Sequence, residues 1–549
     1  MADKLRKVVS LPINVTFRLP LSLPDWPPGN GFAAGTIDLG EGFQVRQISE
    51  FQRIWYTDEG GSGGLGVSFF EPHEIPAGFC MLGCYCQPNH RALHGCVLVG
   101  KDSSGDILME PVDYSLIWSS KRGKQIGCIW EPVPPQGYLP VGYVVSDFPE
   151  KPPLSKIRCV RRDFTERCEL DEWLCGSDRN LFDCCYSGYG RWDVFSLKPK
   201  IRGLGSAGVS VGTFAIRIPQ EDGEEIPLHC IANRSLSFSC LPNTNQIAAL
   251  LGTYAPFVHL HPDEKYLPSS VDWYVKNCLL VHPEGKQSIS AAGDLPKNHP
   301  EMHSLCLEFP SEIADKVKKG SMEEAQVYIN VKAMLGATFT DVVFWFFYPF
   351  NGPGRISLFG KDWQFRRTGQ HVGDWEHMTL RISNFNGELQ KVYFSQHSAG
   401  IWMDASQLEY AEGSNRVVGY SSLNGHAMFP KEGRNLQGAA GMGAVDCCAR
   451  SGVVLDCAER GVLVAARHLP EHSESQWLEY SGRWGPTVQY TLGRWVTMVE
   501  SSLPWKLGSA FRKMVFLPNE MLEEDTPRGP KTKDCWLGDE RVKLRTPKK

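Results

Sequence analysis

Between Thr368 and Leu380 the chain gathers His371, Asp374 and Glu376, an imidazole and two carboxylates within one short stretch. From Asp374 to Ile382 there is no Gly or Pro, and aromatic and β-branched residues recur, which predicts a strand. Alternate side chains of a strand share a face, so Asp374 and Glu376 point one way while Trp375 and His377 point the other. His371 sits on the turn between Gly369 and Gly373, where the backbone is free to fold it back over the two carboxylates. One imidazole and two carboxylates on a concave face suit a hard divalent cation, Mg²⁺ or Ca²⁺ rather than Zn²⁺, with water in the remaining positions. No Cys pair stands near, and a His-Glu-x-x-His helix is absent. Other arrangements remain open at this stage. Asp374 can pair with Arg366, Arg367 or Arg381, Glu376 can face solvent, and His371 can be satisfied within its own turn.

Further histidines lie on comparable turns. His397 ends the strand-like run from Val392, and His426 is carried on the turn from Asn424 to Ala427. Three His-bearing turns at strand ends would converge on one rim of a β-sandwich. His261 and Glu264 close an alternating strand from Ala255, and either approach the same pocket or cap a helix expected from Ser269 to Val275. An earlier helix is expected from an N-cap at Asn243 or Thr244, with Ile247, Leu250 and Leu251 as its apolar face and Gly252 as its C-terminal stop. Val327 to Lys332 and Val342 to Tyr348 read as core strands. Cys447, Cys448 and Cys457 lack metal-ligand spacing and read as buried thiols. The basic run from Trp505 to Met514 is mildly amphipathic and best suited to packing on the sandwich.

The positioning framework is β-rich. At 549 residues the chain is long enough for more than one domain, with apolar residues for large cores. A net charge of −5 gives no nucleic-acid footprint, the Met1 end lacks the apolar run of a signal peptide, and Val342 to Phe350 is too short to span a bilayer. A cytoplasmic chain with reduced thiols follows as the expectation, peripheral on endomembranes if it meets a membrane. After a Pro/Gly-rich lead over residues 1–45, with an edge strand at Phe17 to Pro20, self-similarity sets in. Val67 to Pro72 leads into Pro76 to Gly83, Cys128 to Pro132 into Pro135 to Gly142, and Trp192 to Leu197 into Gly208 to Gly212. Each copy is a strand, a Pro/Gly turn and a second strand ending in Gly, as expected of radially arranged units around a common axis. The expected organisation is a threefold β-prism-like domain over 46–228, a linker over 229–245 within a polar, turn-rich boundary stretch that opens at 222–225, a β-sandwich domain with a few helices over 246–541, and a basic tail over 542–549.

The stretch from Gln370 to Glu376 resembles the heptapeptide of the necrosis- and ethylene-inducing-like cytolysins, secreted β-sandwich proteins. That resemblance implies that His371, Asp374 and Glu376 hold a divalent cation which takes part in recognising a sphingolipid head group. Gln370 stands where the family has Gly and Gly373 where it has a second His, which argues against lytic activity. A further upstream ligand of the family has no clean counterpart, Asn351 and Asp362 being the candidates, and a Ser-x-His-Gly motif of the family falls at His397. The copies in the first half, through Phe69 to Pro72 with Pro76 to Phe79, resemble the vacuolar protein sorting-associated protein 62 family and, more loosely, a β-prism domain that binds acidic membranes. Together these imply a non-enzymatic protein that binds a lipid or glycan head group at a membrane surface. The competing readings are a metal-dependent hydrolase, with His377, His397 or Glu264 as base, and a scaffold with a relic site.

Overall fold

A computed structural model describes residues 13–61, 64–120, 126–176, 192–218, 226–235, 239–297, 299–358, 360–364, 369–397, 399–439, 442–488 and 527–542. The boundary stretch at 222–225, the basic run at 505–514, nearly all of the tail, and Arg366 and Arg367 lie outside the described residues.

The protein is mainly β, and its first half repeats one strand pattern three times. In the first copy Phe51–Thr57, Val67–Pro72 and Tyr85–Pro88 form an antiparallel sheet, while Cys80–Met81 pairs with Val97–Asp102. The second copy uses Asp113–Ser119, Cys128–Val133 and Val144–Ser146, with Tyr138–Leu139 on Cys159–Arg161. The third uses Thr165–Gly176, Asp193–Pro199 and Phe214–Arg217, with Gly208–Val209 on His229–Ala232. The third copy, the faintest in sequence, is thus complete in topology. His229–Ala232 is its closing strand, so the linker begins after the expected position, and Thr36–Asp38 and Phe43–Ile48 bring strands into the lead.

The glycines that end the repeated strands have a steric cause. A Cβ on Gly83 would lie 2.8 Å from the Gly142 Cα, and one on Gly142 would lie 2.7 Å from the Gly83 Cα. Thr213 of the third copy closes the same point, its Cγ2 falling 2.5 and 2.8 Å from those two imagined carbons. Backbone therefore meets backbone where the copies converge, and Trp55, Phe69, Trp130, Tyr143, Leu197 and Phe214 fill the core around it.

In the second half, a six-stranded sheet runs in the order Ala399–Asp404, Leu389–Gln396, His371–Ser383, Phe339–Asn351, Val327–Met334, Gly461–Ala466. One face packs on a second sheet built from Met428–Phe429, Val418–Ser421, Phe257–His259 and Val454–Asp456, with Phe344, Phe346, Met378, Leu380, Val258 and Met428 between them. The other face is covered by Tyr274, Trp477, Trp484 and Trp536, which pack on Trp345, Phe347 and Trp375. Burial on both faces explains why the central strands read as continuous apolar runs. A third, outlying sheet joins Lys361–Gln364, Arg355–Leu358, Met442–Cys448 and Gly433–Ala439.

Several local expectations are revised. The helix Thr244–Tyr254 starts from one of the two expected N-caps, Asn243, which forms a capping box with Gln246, yet it runs through Gly252 and stops just before Pro256. Ser270 caps the helix Val271–Lys276, so neither His261 nor Glu264 does. In place of the edge strand expected over Phe17 to Pro20 there is an isolated bridge at Thr16. The lead instead straps the second domain: Phe17, Leu19, Leu23 and Trp26 pack on the sandwich core, and Asn415 hydrogen-bonds both backbone groups of Leu21 at 2.8 and 3.0 Å. Cys448 and Cys457 are buried free thiols and Cys447 is half-buried.

Gly142→Val is expected to lower the stability of the first domain by about 3 kcal/mol or more, because rigid backbone at the axis cannot move aside. Thermal unfolding beside Gly205→Val, whose site is sterically open but at positive φ, separates axial crowding from backbone strain.

Candidate functional site

Phe339–Asn351 and His371–Ser383 pair in continuous antiparallel register from Phe339↔Ser383 to Tyr348↔Asp374, and resume at Phe350↔Val372 and Asn351↔His371. Between these the ladder is interrupted by Pro349, which has no N–H to give, facing Gly373 at φ 72°. A Cβ on Gly373 would come within 2.8 Å of Trp484, so the histidine found there in the cytolysin heptapeptide has no room in this fold. Past the kink, the His371 ring turns back until Nδ1 lies 2.7 Å from the Gly373 carbonyl oxygen.

Asp374 and Glu376 do share a face, and both are buried. The Asp374 Oδ2 is 2.9 Å from Nδ1 of His426, whose Nε2 lies 3.1 Å from the Tyr266 carbonyl oxygen and 3.8 Å from Glu264 Oε2. The His426 ring stacks on Tyr348 with centroids 3.8 Å apart. Glu264 accepts from the Asn424 N–H at 2.6 Å, which ties the first strand of the second domain to the His426 turn. Glu376 accepts from the Ser395 hydroxyl. His397 Nε2 lies 3.2 Å from Asp446 Oδ2, and Asp446 also accepts from Ser422 and Gln437. His397, Asn424 and His426 all hold φ between 55° and 69°. Such conformations are uncommon for residues with side chains, and their concentration here marks the turns as held in place by their surroundings.

The electrostatics separate the two carboxylates. Burial pushes Asp374 up, but the His426 hydrogen bond and the charges of His371 and His426 outweigh it and hold the carboxyl below its ordinary range. Glu376 is pushed up to about 8, by burial first and by the Asp374 charge second. Lys533, whose ammonium donates to the Trp375 carbonyl at 2.9 Å, acts on both from further away. Among the described residues no Lys or Arg forms an ion pair with either carboxylate. Arg381, one of the arginines weighed above, is held by Asp341 and Asp539.

The candidates therefore divide. His371, Asp374, Glu376, His426 and Glu264 form one neighbourhood, with His397 acting electrostatically on Glu376 from the adjoining Asp446 cluster. Asn351 stands opposite His371 in the ladder, and its amide holds the Gly369 carbonyl and so shapes the turn. Asp362 is elsewhere: it sits on the exposed hairpin with its carboxylate in a two-point pair with Arg434 at 2.6 and 2.8 Å. His261 accepts from the Asp263 N–H at 3.1 Å and is used within its own turn. Asp446, Ser395 and Tyr348 belong to the site without any signal in the sequence, because nothing local marks which distant strand will face it.

The donor atoms of His371, Asp374 and Glu376 do not close as tightly as those of His377, Cys535 and Glu540, which lie within 4.8 Å of one another on the opposite face of the sheet. That second set is already balanced. His377 Nε2 is 2.9 Å from Glu540, Thr379 donates to Glu540 at 2.6 Å, and the buried Lys332 ammonium sits 3.7 Å from it. Burial holds the His377 imidazole below its ordinary value, and the charges of His377 and then Lys332, with the hydrogen bonds from His377 and Thr379, outweigh burial and hold the Glu540 carboxyl down at about 2. Among the described residues His377 Nδ1 has no hydrogen-bond partner, whereas a metal-ligating histidine normally anchors its second nitrogen. These residues fit a buried clasp better than a metal centre, and they take His377 away from any role as a base at the Asp374 face.

Fold and site together define a two-domain β protein, a threefold repeat unit followed by a sandwich with a carboxylate–histidine site between its sheets. The chain belongs to the vacuolar protein sorting-associated protein 62 family, whose profile matches residues 13–540. Among curated proteins of Saccharomyces cerevisiae, putative vacuolar protein sorting-associated protein TDA6 is 31% identical over 191 residues, covering 29% of this chain and 38% of the relative. Vacuolar protein sorting-associated protein 62 is 26% identical over 190 residues, covering 30% and 39%. The chain thus spans well under half the length of the curated relatives it matches. Similar solved structures include GNIP1Aa from Chromobacterium piscinae (19% identity, TM-score 0.29, 39% of this chain and 40% of that one). Necrosis and ethylene inducing protein 2 from the agent of cocoa's witches' broom disease gives 14% identity and a TM-score of 0.20 over 33% and 67%. NLPPya in complex with glucosamine gives 16% and 0.21 over 34% and 67%. Superpositions this loose carry no argument about the site.

Glu376 titrates near 8 in the folded chain against an ordinary value of 4.5, so between those values the folded state holds a proton that the unfolded state has lost. In chelator, stability is expected to fall as pH rises from about 5 to about 8, and Glu376→Gln should flatten that slope; chemical denaturation at a series of pH values reads it. On the other face, Glu540→Ala is expected to cost about 3–5 kcal/mol, since it leaves Lys332 buried without its counter-charge. The Lys332→Met, Glu540→Leu pair should recover part of the lost melting temperature.

Proposed function

We propose that this chain is a non-enzymatic peripheral protein of vacuolar and endomembrane trafficking, whose second domain recognises a lipid or glycan head group through a divalent cation. Membership of the vacuolar protein sorting-associated protein 62 family supports the pathway. A single arrangement supports the chemistry: Asp374 and Glu376 lie buried side by side, with no Lys or Arg among the described residues paired to either, beside His371 and His426. Two carboxylates in that position repel each other, and a hard cation relieves the repulsion while accepting oxygen and imidazole donors. Mg²⁺ and Ca²⁺ fit such donors better than Zn²⁺. Because the three side chains do not draw into a tight shell, part of the coordination would run through water, leaving positions open to hydroxyl or phosphate oxygens of a head group. Among the described residues no helix is long and apolar enough to cross a membrane.

The test is sedimentation with glycolipid-containing vesicles in Ca²⁺ or Mg²⁺ and in chelator, using wild type and Asp374→Ala. Binding is expected to need the cation and to weaken at least tenfold in the variant. Indifference to both chelator and substitution removes the cation from the mechanism, and ester or phosphoester turnover that disappears in the same variant converts the site into a hydrolytic one.

A further inference from the structure

One of the strands that carry the candidate site leads directly into the outlying sheet. Phe339–Asn351 leads through residues 352–354 into Arg355–Leu358, which turns at Gly360 into Lys361–Gln364. All four residues of Lys361–Gln364 are exposed, and among the described residues the strand is an edge of the outlying sheet. Trp363 on this edge is 55% exposed, more than any other aromatic side chain among the described residues. An edge strand that only had to avoid pairing would be blunted by charge, and Lys361 meets that need by itself. Leaving an indole in water alongside it is costly unless the indole has somewhere to go.

The surroundings indicate where. The outlying sheet and its approach carry Arg355, Lys361, Lys431 and Arg434 against Asp362, Glu432 and the buried Asp446, and the exposed side chains keep a basic excess on a chain whose net charge is −5. Asp362 is already neutralised by Arg434, and Glu432 accepts from the Arg450 N–H. Tryptophan with flanking basic residues is the composition that partitions into the head-group zone of an anionic bilayer, the ring at the apolar boundary and the ammonium among the phosphates. We propose that the Arg355–Gln364 hairpin is a membrane-contacting edge, with Trp363 entering the interface of an anionic lipid surface and Lys361 pairing with its phosphates. This rests on the head-group reading above and deepens it: the hairpin supplies attachment, and the Asp374 site it rises from supplies recognition.

Full-length wild type, Trp363→Ser, Lys361→Glu and Asp374→Ala are compared by sedimentation with vesicles of phosphatidylcholine and phosphatidylserine (7:3) and of phosphatidylcholine alone, while Mn²⁺ binding is followed by electron paramagnetic resonance. Wild type should partition onto the anionic vesicles, Trp363→Ser should lower that partition about tenfold or more, and Lys361→Glu should lower it by a factor of a few. Both hairpin variants should keep the wild-type Mn²⁺ affinity and melting temperature, since the exposed strand bears on neither. Equal partition of wild type and Trp363→Ser, or absence of wild-type binding to anionic vesicles, overturns the inference. If Mn²⁺ does not bind while Trp363→Ser still reduces partition, the hairpin assignment stands and the cation reading alone fails.

Discussion

The antiparallel pairing of Phe339–Asn351 with His371–Ser383 is the constraint on which the rest of the second domain depends. Buried on both sides, these strands allow no slip: a shift of one residue would send Asp374 and Glu376 into the tryptophan cluster and Trp375 into the sandwich. The interruption at Pro349 and Gly373 then kinks the ladder before it resumes at His371, whose ring turns back onto the Gly373 carbonyl. Regular pairing sets the carboxylates, and one local break in it places the imidazole.

The two faces of this sheet handle buried charge in opposite ways. Below it, Lys332, Arg381 and Arg202 meet Glu540, Asp341 and Asp539, joining the central sheet, the last described segment and the third repeat of the first domain. Above it, the negative charge is met by imidazoles and hydroxyls, with Lys533 only at longer range. A lysine or arginine would complete the upper face as a structural clasp like the lower one. Histidines instead leave it able to exchange a proton, a cation or a ligand oxygen. That asymmetry is why the upper face reads as a site and the lower one as a fastening.

The first domain depends on a different constraint, the closeness of backbone at its axis. Gly83, Gly142 and Thr213 are small because three copies must meet there, and the repeated glycines visible along the chain are the trace of that meeting. In the third copy Thr213 takes over part of the role, and the weakness of that copy in sequence reflects a substitution that the geometry accepts.

Much of this was legible from residue order alone. Local rules govern strand alternation, so the shared face of Asp374 and Glu376 and the opposite placing of His377 follow from the pleat. The helix start at Asn243 and the two clearer repeats follow from equally short-range patterns. Other features were decided by contacts between segments far apart in the chain. Asp446 reaches His397 because its strand returns to that rim, Arg434 claims Asp362 across the outlying sheet, Glu264 turns to the Asn424 N–H and the His426 ring rather than to a helix end, and Phe17 to Trp26 straps a domain that begins more than two hundred residues later. Periodicity reports which side of a strand a residue takes, since that is set by its immediate neighbours. Which partner waits on that side is settled only when the chain packs, because burial and ion pairing are properties of the assembled core.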